Sequence, residues 1–325
     1  MLRVGIVGLG GMGGVHFGEY CKMNHIELAA VADVRVDMAS EKVKEKGLSI
    51  PVYASLEEML EKEKLDILDI CTPSYLHREM AIYALEKGVN VLSEKPMVLN
   101  SADGKEIIET AKKCGRKYMV AHVVRFMKPY EYLKKVIDEK KYGKMTHLIM
   151  NRLSGIPLWS WEDWMRDEER SGHVAIDLSV HDIDFMQSVF GKPNEISSVY
   201  HAMNGNSNYI VSNYIYDGFA VSVTGSWYNA RIPFSASYKA IFEDGYVFLE
   251  NGEVIENGEK VDLDTADNND VNTGININTA DGYGDEILYF IDCVENDKEI
   301  ERVTPESSLE SIRLVEETLK ACKRI

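Results

Sequence analysis

Short apolar runs alternate with segments of helical spacing along the first 121 residues. The runs have the length of buried strands, and the segments between them carry apolar residues three and four positions apart. They occupy residues 2–7, 26–33, 65–71, 89–96 and 117–122. Because buried strands that alternate with helices form a parallel sheet covered on both faces, we predict a doubly wound α/β domain over residues 1–121.

The pattern changes after this point. A helical segment at 129–140 precedes strand-like runs, and dipeptides that favour tight hairpins separate those runs. These dipeptides are Asp217-Gly218, Asp244-Gly245 and Asn251-Gly252. Two closing helices are predicted at about 284–296 and from Thr304-Pro305 onward. We therefore predict an α+β domain with a mainly antiparallel open sheet over residues 122–325.

An Asn- and Asp-rich stretch at 257–284 interrupts this second domain. Its acidic residues do not follow the spacing of a calcium-binding loop. A solvated loop is therefore favoured over a calcium site.

Composition and charge exclude several classes of protein. Of the 325 residues, 45% are hydrophobic, and the net charge of −17 gives little general attraction for nucleic acid or anionic membranes. No apolar run approaches the ~20 residues that span a bilayer, and a strand-like run begins at Leu2 with no signal peptide before it. The five cysteines are scattered without a CxxC pair, which favours reduced thiols over disulfides or a zinc site. We expect a cytoplasmic protein without a metal centre.

A glycine motif follows the first strand and opens the first predicted helix. It comprises Gly8, Gly10, Gly11, Met12 and Gly13. In a dinucleotide-binding turn, the glycines permit the tight turn, the approach of a pyrophosphate and close packing of the helix on the strand. Asp33 lies 20 residues beyond Gly13, where a carboxylate accepts the ribose hydroxyls. The combination predicts a Rossmann domain that binds a dinucleotide, whereas the glycines alone also fit a purely structural turn.

The choice between NAD and NADP depends on two residues. The carboxylate of Asp33 repels a 2′-phosphate and so favours NAD. Arg35, two residues further on, can either pair with a phosphate or be a solvated charge at the start of the next helix. We predict NAD as the cofactor and leave NADP open.

Two further segments carry candidate catalytic groups. Lys95 follows the fifth predicted strand, where it can donate a charged hydrogen bond to a substrate oxygen or be an ordinary surface lysine. Asp177, His181 and Asp184 share one face if their segment is helical. A histidine near an acid can act as a general base, but the same spacing also fits a helix with an internal ion pair.

These motifs resemble the glucose–fructose oxidoreductase/inositol dehydrogenase family over essentially the whole chain. The resemblance rests on the glycine motif, Thr72-Pro73 with His77, Glu94-Lys95-Pro96, Arg125-Phe126, Asp177 with His181, and a closing pattern from Asp285-Glu286 through Phe290 to Leu309-Glu310. One departure is His173, since members often have a glycine run at Ser171-Gly172-His173. That loop shapes the substrate pocket in the family, so the departure affects substrate identity and leaves the reaction class unchanged.

The resemblance implies a reversible dehydrogenase that moves a hydride between a nicotinamide cofactor and a CH–OH group of a cyclic polyol, sugar or sugar derivative. His181 would be the base, Lys95 would hold the reacting oxygen, and Asp177 would orient a hydroxyl or the lysine. The residues implied to line the dinucleotide cleft are Thr72, Pro73, His77, Glu94 and Lys95.

Two other residues are candidates for contact with the substrate. The resemblance places Arg125 at the domain junction, within reach of the substrate. Trp164 lies near Trp159 and Trp161 in one predicted loop. Aromatic faces can stack on sugar rings, although loop tryptophans are more typical of local core or an interface.

Two alternative functions and a subunit arrangement complete the hypotheses. The family contains glycosidases that use bound NAD as a transient oxidant. A non-catalytic NAD-binding regulator would be expected to lack Lys95 or His181, which are both present. In family members the open face of the second-domain sheet pairs subunits, so the resemblance implies a homodimer or homotetramer.

Overall fold

The computed structural model describes residues 1–172, 174–202, 208–263 and 282–325. The chain divides into two units, and each is described by itself. The first contains Met1–His122 and Tyr283–Glu306, and the second contains the described residues from 123 to 263, Gly282 and Ser307–Ile325.

The first unit is built on a parallel sheet. Its described strands are β1 (Leu2–Val7), β2 (Ile26–Ala32), β3 (Val52–Tyr53), β4 (Ile67–Ile70), β5 (Asn90–Glu94) and β6 (Tyr118–Ala121). They lie in the order β3-β2-β1-β4-β5-β6, and every neighbouring pair is parallel. The predicted doubly wound domain is confirmed. The strand order reverses at β1, which is the point where such sheets bind ligands.

Helices follow the strands of this unit. They are α1 (Gly11–Tyr20), α2 (Val36–Glu45), α3 (Leu56–Lys62), α4 (His77–Glu86) and α5 (Ser101–Cys114). Local chemistry sets several of their ends: Ser55 and Asn100 accept hydrogen bonds from the first turns of α3 and α5. Gly115, with φ +60°, ends α5 in the left-handed conformation.

The helix α9 (Tyr283–Glu295) also belongs to the first unit, which corrects the predicted extent of the second domain, residues 122–325. Ile287, Phe290 and Ile291 on this helix are buried, and α9 packs against α1, β5 and β6. The apolar periodicity of the segment predicts that it packs on a core, but periodicity does not identify which core.

The second unit is built on a mixed sheet. Its described strands are β7 (Met145–Gly155), β8 (Glu195–Ala202), β9 (Asn208–Tyr216), β10 (Phe219–Tyr228), β11 (Ser235–Phe242), β12 (Tyr246–Glu250), β13 (Glu253–Glu256), β14 (Glu259–Lys260) and β15 (Cys322–Arg324). Their order is β14-β13-β12-β11-β7-β10-β9-β8-β15. The pairs β7/β10 and β8/β15 are parallel, and the other neighbouring pairs are antiparallel. The predicted, mainly antiparallel sheet is confirmed.

The hairpin dipeptides lie where the pattern predicts turns. Tyr216 pairs with Phe219, so Asp217 and Gly218 form a two-residue connection in which Gly218 has φ +86°. Asn251 and Gly252 both have positive φ, as a type I′ turn requires.

Helices of the second unit complete the fold. They are α6 (Lys128–Asp138), α7 (Glu168–Ser171), α8 (Val180–Phe190) and most of α10 (Pro305–Ala321), with a π-helical segment at Val174–Leu178. Among the described helices, none combines the length and apolar character of a membrane span. The predicted loop at 257–284 falls largely outside the described residues, as does His173.

Candidate active site

The glycine turn after β1 has the geometry that a dinucleotide needs. Gly8 has φ +87°, and a Cβ there would lie 2.8 Å from the carbonyl oxygen of Cys71. A Cβ on Gly13 would lie 1.8 Å from the carbonyl oxygen of Gly8, so α1 packs against the turn too closely for any side chain. At Gly10, by contrast, the nearest atom to a Cβ is a guanidinium nitrogen of Arg35 at 3.7 Å. The protein itself leaves space beside Gly10, which fits a residue that a pyrophosphate approaches.

The N-terminus of α1 is available for an anion. Gly10 is the cap residue and makes no side-chain cap hydrogen bond, and the first turn, which includes Gly11 and Met12, carries no acidic residue. The backbone N–H groups and the helix dipole therefore favour negative charge at this end.

Asp33 lies beside the glycine turn, as the motif predicts. Its carboxylate accepts hydrogen bonds from the N–H of Leu9 at 2.7 Å and the N–H of Arg35 at 2.8 Å. The residue is only 6% exposed. Two backbone donors hold the carboxylate in place, and its remaining lone pairs can accept ribose hydroxyls.

Two cations flank this carboxylate. The Nε of Arg35 lies 3.4 Å from Asp33, and the Nζ of Lys42 donates to the carbonyl oxygens of Leu9 at 2.9 Å and Gly10 at 3.3 Å. Burial, and then the like charge of Arg35, lower the pKa of Lys42. The sequence interpretation missed Lys42. Its signal is a lysine between the buried residues Ala39 and Val43 on the inner face of α2.

We expect Asp33→Asn to weaken NAD binding and to reduce the preference for NAD over NADP. Losing a charged acceptor costs about 1.5–3 kcal/mol, or roughly ten- to a hundredfold in Kd, while NADP no longer meets a repelling carboxylate. Calorimetric titration with both cofactors measures this. Asp37→Asn, an exposed acid in the first turn of α2, is the control, and equal losses in both variants would contradict the role of Asp33.

Lys95 follows β5, at the carboxyl edge of the parallel sheet. Its backbone N–H donates to the Oε2 of Glu94 at 2.9 Å. The ring of His77 lies between the segments that follow β4 and β5, 2.9 Å from the carbonyl oxygen of Thr72 and 2.8 Å from that of Pro96. Burial lowers the pKa of His77, which favours a neutral ring that donates to one of these carbonyls.

This geometry changes the interpretation of two predicted cofactor residues. His77 is 1% exposed and Glu94 is 5% exposed, and both side chains are occupied within the protein. They support the loop that carries Lys95. Thr72, Pro73 and Lys95 are half-buried at the same edge of the sheet.

A buried polar cluster lies behind this loop, and the sequence interpretation missed it. We call it the His16 cluster. His16 on α1 and Asp69 on β4 are fully buried, with Nδ1 and Oδ2 2.8 Å apart. The other ring nitrogen, Nε2, lies 3.3 Å from the Oε1 of Glu94 and 3.9 Å from the Oε1 of Glu286 on α9. The sequence signal is Asp69, a carboxylate in the middle of an apolar run predicted to be a buried strand.

The charges in the His16 cluster follow from its contacts. Burial opposes a charge on His16, but Cys71 and Asp69 outweigh it and raise the pKa of His16 well above the ordinary value. Burial, then Asp69, raise the pKa of the Cys71 thiol, which favours its neutral form. Burial likewise raises the pKa of Glu94, but His16 and Lys95 outweigh it, and the pKa of Glu94 is lowered. The raised pKa favours a cationic His16 between the carboxylates of Asp69 and Glu94.

Three atoms of the cluster are close enough to be considered as metal ligands. Donor atoms of His16, Asp69 and Cys71 lie within 4.8 Å of one another. Metal binding requires the thiolate and a neutral ring, whereas Cys71 keeps its proton and His16 is hydrogen-bonded to Asp69. We interpret the group as a hydrogen-bonded charge network.

Glu286 gives this cluster a measurable effect on stability. Burial, reinforced by the negative charges of Glu94 and Asp69, raises its pKa well above 4.5 against the attraction of His16. The folded state holds this proton more tightly than the unfolded state does. The resulting stabilisation is fully present below the ordinary pKa of a glutamate side chain. That stabilisation is lost as pH rises through the raised pKa, at about 1.4 kcal/mol per pH unit.

We therefore expect Glu286→Gln to flatten the decline of unfolding free energy as the pH rises above 4.5. Urea unfolding at a series of pH values measures this slope. Asp285→Asn changes the exposed neighbour on the same helix and should retain the slope of the parent. An unchanged slope in Glu286→Gln would contradict the buried, protonated state of this carboxyl group.

The second unit carries Asp177 and His181 on two successive helical segments. Asp177 is 4% exposed and lies in the π-helical segment, while His181 is half-buried in the first turn of α8. The single α-helical face that the spacing predicted is therefore interrupted. A Cβ on Gly225 of β10 would lie 2.1 Å from the Oγ of Ser179, so the sheet supports this junction closely. Such π-helical turns are frequent at functional sites.

Arg125 and Asp184 pair with each other in the same unit. Nε and one terminal nitrogen of Arg125 donate to the two oxygens of Asp184 at 2.8 and 2.7 Å. The other terminal nitrogen donates to Ser307 at 3.0 Å, and the Arg125 side chain is 7% exposed. The guanidinium is thus engaged within the unit, which favours a structural role over the predicted contact with substrate. The spacing of Asp177, His181 and Asp184 also fitted a helix with an internal ion pair, but Asp184 pairs with Arg125, which lies outside that helix.

The tryptophans lie in the segment between β7 and α7. Trp164 is half-buried, whereas Trp159 and Trp161 are 54% and 36% exposed. Glu162 and Asp163 have φ of +50° and +53°, so two non-glycine residues hold left-handed conformations here. Contact of Trp164 with a sugar stays a prediction.

Comparison with known proteins places both units in one family. A family model described as the oxidoreductase family, NAD-binding Rossmann fold, matches residues 2–122. A model of the GFO/IDH/MocA C-terminal domain matches residues 130–246.

Individual relatives agree with these matches. D-glucoside 3-dehydrogenase of Escherichia coli is 31% identical over 195 residues, which are 59% of this chain and 55% of that protein. Myo-inositol 2-dehydrogenase of Thermotoga maritima is 28% identical over 194 residues, 60% of this chain and 56% of that protein. The matched region thus spans little more than half the length of these relatives.

A solved structure extends the likeness in fold. The crystal structure of myo-inositol 2-dehydrogenase from Lactobacillus plantarum has a TM-score of 0.81 at 20% identity, covering 98% of this chain and 96% of that chain. At this identity the likeness concerns the fold alone.

Proposed function

Since the chain belongs to the GFO/IDH/MocA oxidoreductase family, we propose that it is an NAD-dependent dehydrogenase acting on a CH–OH group of a cyclic polyol, sugar or sugar derivative. The observation that carries the proposal is the first unit's cofactor geometry. Gly10 leaves space beside a helix N-terminus that lacks acidic groups, and the Asp33 carboxylate is fixed by Leu9 next to the same turn. These residues fit the pyrophosphate and a ribose of NAD.

The chain's own residues supply the rest of the chemistry. The nicotinamide of NAD would supply the hydride acceptor when the cofactor is bound. The ammonium of Lys95 would donate to the reacting oxygen and stabilise the negative charge that develops there as the hydroxyl loses its proton. His181 would accept that proton at a ring nitrogen, and Asp177 would orient a substrate hydroxyl. The backbone contacts of Glu94 and His77 hold the Lys95 segment in place.

A substrate panel tests this proposal. Inositols, aldoses, glycosides and sugar acids are each offered with NAD and with NADP, and the absorbance of the reduced cofactor is followed. We expect reduction of NAD with at least one CH–OH compound and slower reduction of NADP. Tight NAD binding without any reduction across the panel would contradict the proposal. Cleavage of a glycoside without net NADH would instead identify a glycosidase.

A further inference from the structure

The Lys95 loop has an unusual support. Glu94 is the last residue of β5, and its two carboxylate oxygens face different groups. Oε2 accepts the backbone N–H of Lys95 at 2.9 Å, and Oε1 lies 3.3 Å from the Nε2 of His16, an ion-pair contact without the geometry of a hydrogen bond. One buried side chain thus connects the backbone of Lys95 to the His16 cluster.

We propose that Asp69 and His16 are positioning residues that act through Glu94: they hold its carboxylate against the Lys95 N–H and so fix where the Lys95 side chain projects from the edge of the sheet. The inference rests on the proposed function, in which the Lys95 ammonium holds the reacting oxygen. It extends the site to two buried side chains, on α1 and β4, that the sequence interpretation did not single out.

The contacts of the His16 ring show how Asp69 acts on Glu94. Asp69 pairs with one ring nitrogen of His16 at 2.8 Å, and Glu94 faces the other at 3.3 Å. A cationic ring attracts both carboxylates, whereas a neutral ring presents only one N–H. Because Asp69 favours the cation, it also strengthens the hold of His16 on Glu94.

Other titratable groups also face the ring, and burial raises the pKa of three of them, Cys71, Tyr20 and Glu286, which favours their neutral forms. The groups that face the ring are Cys71 directly after β4, Tyr20 on α1, and Glu286 and Tyr283 on α9. Glu286 has no hydrogen-bond partner among the described residues, and its raised pKa favours the protonated form. Asp69 is the carboxylate that pairs with the Nδ1 side of His16, at 2.8 Å.

Catalysis depends on this positioning because Lys95 must meet an oxygen whose charge changes during the reaction. A displacement of ~1 Å in a catalytic group can lower the rate by up to 10²-fold. Glu94 accepts from the amide of Lys95 itself, so movement of Glu94 transmits directly to this residue.

Two nearly isosteric variants test the inference. Asp69→Asn keeps the shape and an acceptor oxygen but removes the charge, and Glu94→Gln keeps an acceptor for the Lys95 N–H but removes the attraction to His16. We expect each to lower kcat about tenfold while KM for NAD changes less than about twofold. The double variant should lose little more than either single variant, because both break the same link.

Asp69→Asn should also change the pH profile. Without the aspartate charge, the pKa of His16 falls toward its ordinary range, and the ring loses its charge as the pH rises. The kcat of the variant should therefore decline at alkaline pH relative to the parent. If Asp69→Asn merely removed a catalytic base, kcat would instead fall at every pH.

Amide hydrogen exchange gives a readout that needs no substrate. Both variants should raise the exchange rate of the Lys95 amide, which has Glu94 as its acceptor. Met59→Ala is the control, since Met59 is buried in the same unit on α3 and outside the His16 cluster. It should lower the melting temperature but leave kcat and Lys95 exchange near those of the parent.

The outcomes separate the inference from the proposed function. Faster exchange at Lys95 in an enzyme with no activity on any polyol or sugar would sustain the positioning link and reject the function. Parent-like kcat, pH profile and exchange in both variants would overturn the inference even if the dehydrogenase activity is found. If Asp69→Asn does not fold, Glu94→Gln alone decides by the same kcat and exchange measurements.

Discussion

Lys95→Met should lower kcat/KM by about 10²–10³-fold while leaving NAD affinity within about threefold of the parent. Methionine keeps the length and much of the apolar stem of lysine but removes the charge that would stabilise the developing alkoxide. The backbone hydrogen bond to Glu94 does not depend on this side chain, so the loop should keep its conformation. Steady-state kinetics with a substrate from the panel and calorimetric titration of NAD measure the two quantities.

Lys87→Met is the matched control for this change. Lys87 is an exposed lysine just beyond α4 in the same unit, so its loss changes the net charge equally without touching the carboxyl edge of the sheet. Its activity should equal that of the parent. Near-parental turnover in Lys95→Met would remove this lysine from the chemistry and with it the proposed role of the whole segment.

Gly13→Ala should destabilise the first unit by about 3 kcal/mol and abolish measurable NAD binding. The added Cβ would lie 1.8 Å from the carbonyl oxygen of Gly8, so either α1 or the turn after β1 must move. That movement displaces the helix N-terminus and the N–H of Leu9, which holds Asp33. Thermal unfolding and NAD titration measure both effects.

Gly14→Ala provides the opposite expectation one residue further along α1. Its Cβ would find the Nζ of Lys42 at 3.6 Å, an ordinary contact with a flexible side chain. Because alanine is favoured over glycine in a helix by about 1 kcal/mol, this variant should be as stable as the parent or slightly more stable. Equal destabilisation by both alanines would contradict close packing at Gly13 as the cause.

Features set by local chemistry could be predicted from the sequence. The glycine turn, the position of Asp33 beside it and the Asp217-Gly218 hairpin each depend on residues that are close in sequence or on one motif of fixed spacing. Their backbone conformations have few alternatives, because positive φ at Gly8 and Gly218 is readily available only to glycine. The alternation of strands and helices likewise determined the parallel sheet.

Features that depend on pairing between distant parts of the chain could not be predicted from the sequence. The partner of Arg125 is Asp184, 59 residues away, and no periodicity identifies which acid an arginine will meet. The His16 cluster joins α1, β4, β5 and α9, and its residues are separated in sequence by as many as 270 positions. Asp69 was detectable as a polar residue in an apolar strand, but the histidine that pairs with it was not.

The most direct test of the central claim follows the hydride itself. A substrate accepted in the panel is prepared with deuterium on the carbon that bears the reacting hydroxyl, and the reduced cofactor is analysed by mass spectrometry after turnover. We predict one deuterium in the nicotinamide ring for each molecule of ketone formed. Product formation without deuterium in the reduced cofactor would contradict hydride transfer as the reaction of this protein.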